Sequence, residues 1–123
     1  MELRARALPR SAPKRQARTL LKSAPALRDL VQLARDRIGA KQVWLFGSRA
    51  RGDARPESDW DIFLVLPDDA PEADLDPATC WRIGRDAGLI ADVVADRESD
   101  VKAAWNTVNT LAFVLPREGV RLG

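Results

Sequence analysis

The chain has 123 residues, 46% hydrophobic and 31% charged, which is enough for one domain with one core and too few for a catalytic domain plus a separate substrate domain. It has no histidine and one cysteine, Cys80, so Ser-His and Cys-His nucleophilic machinery, His-bearing zinc sites and an intramolecular disulfide are all excluded. The net charge of +2 is unevenly spread, with seven Lys or Arg against one Glu in residues 1–22 and a net acidic remainder.

Residues 1–22 read as a basic N-terminal arm, flexible and solvated because blocks of like charge repel, ahead of a domain over residues 23–123. No run in the chain is apolar enough for a signal-peptide core or a membrane span, so a cytoplasmic protein without a membrane partner is expected. Past the arm, Leu27, Leu30, Val31, Ala34 and Ile38 recur at helical spacing, with Pro25 suited to the first turn and Gly39 to the stop. The run KQVWLF predicts a buried strand from Val43 to Phe46, ended by Gly47. A polar segment, SRARGDARPES, follows as a loop whose first residues can make a helical turn.

DIFLVLP predicts a second strand, with Ile62, Leu64 and Leu66 on one face and Phe63 and Val65 on the other, so it should be central and covered on both sides. DDAPEADLDP reads as a loop, Ala78 to Ala87 as a short helix begun by Pro77, and Cys80 within it as a small core residue. LIADVVAD predicts a third strand. From Ser99 the apolar spacing is helical again, but weak helix formers between Asn106 and Thr110 and the later Pro116 suggest two pieces. A short final strand is expected at Val120 to Leu122. Strands alternating with helices in one domain imply an α/β fold with a small mixed sheet flanked by helices.

The anomaly is a pair of aspartates at the mouth of an apolar strand. Residues two apart on a strand share a face, so Asp59 and Asp61 present their carboxylates together while Trp60 turns away. Close carboxylates repel unless a cation compensates, and Mg²⁺ takes such hard oxygen ligands while leaving positions for phosphates. Asp92, read as buried between Ile90 and Val93 on the third strand, is the third carboxylate that a two-metal site needs, with Asp96 of the same parity as the fallback. Gly47 lets a phosphate approach the backbone, Ser48 offers its hydroxyl and amide, and Arg49 and Arg51 are placed to pair with phosphate oxygens.

GSRARG followed by DWD, with ADVV and the ending REGVRLG, resembles the minimal (MNT-type) branch of the DNA polymerase β-like nucleotidyltransferase superfamily, from Leu27 to the C-terminus. The resemblance implies one minimal nucleotidyltransferase domain that moves a nucleoside monophosphate, usually AMP from ATP, with two Mg²⁺ ions. Gly47 and Ser48 would hold the triphosphate, Asp59 and Asp61 both metals, and Asp92 the catalytic metal. It also implies an antitoxin paired with a HEPN-type ribonuclease toxin, adenylylated on a tyrosine. This chain has no tyrosine, so the acceptor is expected on the partner. Neutralisation by binding alone and transfer to a small molecule are the alternatives, and direct nucleic-acid binding through the arm is not expected.

Overall fold

The structure, a computed structural model, describes residues 11–123. Residues 11–22, expected in a solvated arm, instead lie in helix α1 (Ser11–Ser23), where Ala17 is buried and Leu20 and Leu21 pack against the core. Spacing of three and four residues gives these side chains one narrow apolar stripe, so the basic residues can stay in water on the remaining faces. Residues 1–10 of the expected arm lie outside the described residues.

Helix α2 (Pro25–Ile38) buries the five apolar positions that its spacing predicts, opens with Pro25 and closes on Gly39 in the left-handed conformation, where the Gly39 N–H donates to the Arg35 carbonyl and the Ala40 N–H to the Ala34 carbonyl. Strand β1 (Gln42–Phe46) ends at Gly47, and the short helix α3 (Ser48–Arg51) turns the chain into the polar loop. Strand β2 (Trp60–Leu66) is buried from Ile62 onward. The acidic connection after it, read as a loop, contains one helical turn, α4 (Glu72–Leu75). Helix α5 (Pro77–Ala87) is capped by Asp76, whose carboxylate accepts from the Ala78 N–H, and it buries Cys80. Strand β3 (Ala91–Arg97) leads directly into α6 (Glu98–Ala104), followed by α7 (Leu111–Glu118) and β4 (Val120–Arg121). The C-terminal helical pattern is thus in two pieces, and Pro116 is accommodated in the last turn of α7.

The sheet has the order β3-β2-β1-β4, with β1 antiparallel to β2 and β4 and β3 parallel to β2. Central β2 divides two apolar clusters. Ile62, Leu64 and Leu66 pack with Leu27, Leu30, Val43 and Ile83 on one face. Phe63 and Val65 pack with Val101, Ala112 and Leu115 on the other. Covered faces on both sides explain why β2 reads as a near-continuous apolar run. No helix among the described residues is long and apolar enough to cross a membrane.

Candidate active site

The predicted residues meet at one end of the sheet. In the antiparallel β1–β2 pair Phe46 lies opposite Asp61, and in the parallel β2–β3 pair Asp61 lies beside Asp92. Asp61 therefore projects next to Gly47 on one side and next to Asp92 on the other. Asp59 stands just before β2, close enough for its charge to act on Asp61. Asp96 is beside Val65, about 13 Å further along the strand than Asp92, so the register puts Asp92 and not Asp96 at the pair.

Gly47 is the hinge between the two halves. Its φ of 74° favours glycine, and a Cβ there would collide with a carboxylate oxygen of Asp61, with the Asp61 Cγ at 3.0 Å and Cβ at 3.3 Å. The missing side chain thus does more than admit a ligand to the backbone, since it makes the space in which Asp61 sits. After Gly47 the chain turns into α3, with the Gly47 carbonyl accepting from the Ala50 and Arg51 N–H groups at 3.1 and 3.0 Å. From outside, α1 braces this turn, as Gln16 Nε2 donates to the Ala50 carbonyl at 2.9 Å.

The carboxyl of Asp61 is held above the ordinary aspartate range, first by burial and then by the charges of Asp92 and Asp59, with Arg51 opposing. Asp92 is exposed, which corrects the reading of it as buried between Ile90 and Val93. Ile90 is exposed too, because β3 is an edge strand and this end of it lies at the rim of the sheet. Among the described residues none of the three carboxylates is in an ion pair, and no group of three His, Cys, Asp or Glu side chains already forms a cation cage. The donor set is nevertheless all carboxylate oxygen and mutually repelling, which suits a hard divalent cation such as Mg²⁺.

The two arginines behave differently. Arg51 is exposed and forms ion pairs with Asp53 at 3.2 Å and Glu118 at 3.6 Å, at the mouth of the site. Arg49 turns inward to the loop, where its guanidinium donates to backbone carbonyls of residues 55, 56 and 58. Sequence reasoning missed Gln16 and Glu118, because nothing local to either residue marks the contact it makes across the fold. A groove of about 320 Å³ lined by Phe63, Val94, Asp96, Asp100 and Leu111 runs along the same face of the sheet as the carboxylates. Another cavity, of about 340 Å³ and lined by Gln42, Val65, Glu98, Lys102 and Trp105, lies at the far end of the strands.

No curated protein matches the chain. Its fold is similar to that in the crystal structure of a toxin-antitoxin with AMP-PNP, with a TM-score of 0.54 and 24% identity over 78% of this chain and 71% of that one. A candidate nucleotidyltransferase from Sulfolobus solfataricus is similar at a TM-score of 0.49 and 20% identity, over 74% of this chain and 78% of that one. The family described as "Nucleotidyltransferase domain" matches residues 27–111, a stretch that runs from α2 into the start of α7 and includes Gly47, Ser48, Asp59, Asp61 and Asp92. With most of its length matched, the chain belongs to the nucleotidyltransferase domain family.

Proposed function

We propose that this nucleotidyltransferase transfers AMP from ATP to a hydroxyl of a partner protein, with pyrophosphate as the leaving group, and that the partner is a HEPN-type ribonuclease toxin inactivated by adenylylation of a tyrosine. The observation that carries the proposal is the placement of Asp61, which packs onto Gly47 and pairs with Asp92 in one step of the sheet. Ser48 and the backbone of the Gly47 turn bind the triphosphate, and the Arg51 charge at the mouth favours an anionic substrate. Asp59 and Asp61 are the ligands that would hold two Mg²⁺ ions, with Asp92 completing the set for one of them. Such ions, when bound, neutralise charge on the attacking and leaving oxygens. Asp92, exposed at the rim, receives the acceptor hydroxyl and takes its proton.

A protein acceptor is supported by the likeness in fold to a toxin-antitoxin structure with AMP-PNP, and a tyrosine acceptor would have to lie on the partner, since this chain has no tyrosine. The exposed side chains of Trp81 and Ile90, in the helix and loop that lead into β3, favour a second reading, neutralisation by binding alone. One experiment separates the two. Intact mass of a co-expressed partner toxin should show a nucleotide-sized adduct with the unmodified protein and none with the Asp59→Ala/Asp61→Ala variant. An adduct that persists in the double variant would refute the site assignment, and full neutralisation without an adduct would establish binding alone.

A further inference from the structure

We propose that Arg49 is a positioning residue that locks the Gly47–Ser48 turn to the Asp59–Asp61 segment, and that it is not a ligand of the phosphates. This rests on the reading of that turn and those aspartates as the nucleotide site. Arg49 Nε donates to the Ser58 carbonyl at 3.0 Å, while Nη2 donates to the carbonyls of Ser58, Pro56 and Arg55 at 2.8, 3.0 and 3.4 Å. Its Cζ also sits 4.2 Å from the centroid of the Trp60 ring. One side chain in α3 therefore holds three loop carbonyls and the first residue of β2. Ser58 is the residue just before Asp59, and Trp60 separates the two aspartates, so the grip falls on both sides of the first carboxylate.

The hydrogen-bond inventory argues against a phosphate role. A guanidinium grips a phosphate at two points through either its Nε–Nη2 edge or its Nη1–Nη2 edge, and both need Nη2. Here Nη2 is already directed at loop carbonyls, and the stacking on Trp60 occupies one face of the plane. A lysine cannot replace such a fork, since an ammonium is a point charge that neither spans these acceptors nor stacks in the same way. The loop closes on itself as well, with Arg55 N–H donating to Ser58 Oγ at 2.9 Å and Ser58 N–H donating to the Arg55 carbonyl at 3.0 Å. Those two amides report whether the grip is intact.

The test uses the full chain and its Arg49→Lys and Arg49→Gln variants, with Mg-ATP as the probe. Without nucleotide, hydrogen exchange at the Arg55 and Ser58 amides should be about tenfold faster in both variants, while the amides of Ile62 to Leu66 serve as an unchanged internal reference. In transfer assays the Lys variant should lose more in kcat than it gains in KM for ATP, because the group displaced is a carboxylate at the reacting centre while no arginine–phosphate contact is lost. In the unmodified protein, the Arg49 Nε–H resonance should be protected before nucleotide is added and should not move with Mg-ATP, a measurement that needs no variant. Unchanged loop exchange in both variants, a rise in KM with kcat preserved, or an Nε–H protected only by Mg-ATP would each overturn the proposal. Should the nucleotide-site reading itself be wrong, Mg-ATP would perturb no amide between Gly47 and Asp61 in the unmodified protein, while the exchange effect of Arg49 would remain.

Discussion

At the scale of single residues, Gly47 has two independent reasons to be glycine. Its φ of 74° is strained for any L side chain, and the space a Cβ would fill holds the Asp61 carboxylate. Gly47→Ala should destabilise the fold by about 1–3 kcal/mol in a urea titration and weaken Mg-ATP binding as Asp61 is pushed aside. Retained stability with full binding would show that the turn relaxes freely. The pattern Gly-Ser, then two aspartates of equal parity, is legible in the sequence because strand periodicity alone assigns Asp59 and Asp61 to one face. Contact between Gly47 and Asp61 is not legible, since it depends on the antiparallel register that sets Phe46 opposite Asp61. Arg49 makes the same point from its partners. Residue type announces a cation, but backbone carbonyls leave no sequence signal, so its loop contacts emerge only in the fold.

Among the elements, α1 shows how charge can mask amphipathicity. Ala17, Leu20 and Leu21 are a narrow stripe among basic neighbours, and the stripe settles against the core while Gln16 reaches the α3 turn. Gln16→Ala should cost about 1 kcal/mol of stability in denaturant unfolding, because it leaves the Ala50 carbonyl without that donor. No change in the midpoint would mean that water replaces the amide at no cost. By contrast α2 is readable end to end, its stripe, opening proline and closing glycine agreeing with one another. The single turn of α4 is not readable, as four residues carry too little periodicity to register. Whether β3 has buried or exposed positions is likewise decided by its place at the edge, and this is why Asp92 is exposed.

Across the whole molecule, acidic groups pull stability in opposite directions with pH. Asp68, Asp86 and Glu98 are held below their ordinary pKa values of 3.8, 3.8 and 4.5, Asp68 by hydrogen bonds from Ser99, Asp86 by those from Arg85 and Arg37, and Glu98 by the one from Lys41. Folding favours their charged forms, so their contribution is present above those values and is lost as pH falls through the lower folded ones. Asp61 has the reverse sign, being raised above 3.8 by burial and by Asp92 and Asp59. Its cost is absent at pH below 3.8 and is felt in full once pH rises past its folded value. Asp61→Asn should therefore stabilise the fold at neutral pH by no more than about 1 kcal/mol after solvent screening, read as a higher melting temperature, and the gain should vanish in acid. Added Mg²⁺ should stabilise the unmodified protein and not this variant, by binding the folded state alone. Melting curves from pH 3 to 7, with and without Mg²⁺, check both, and a variant less stable at neutral pH would contradict the sign.

The sequence by itself determined the α/β class, the central strand with its two covered faces, and the carboxylate pair at its mouth, because strand and helix periodicities are local and survive any arrangement of the elements. Only the tertiary structure decided that Asp92 and not Asp96 stands beside Asp61, that the Asp61 carboxylate occupies the space over Gly47, that Arg49 faces the loop and that part of the basic N-terminal segment is a packed helix. Each of these depends on strand order, register or a contact between distant segments, which residue spacing along one chain does not encode.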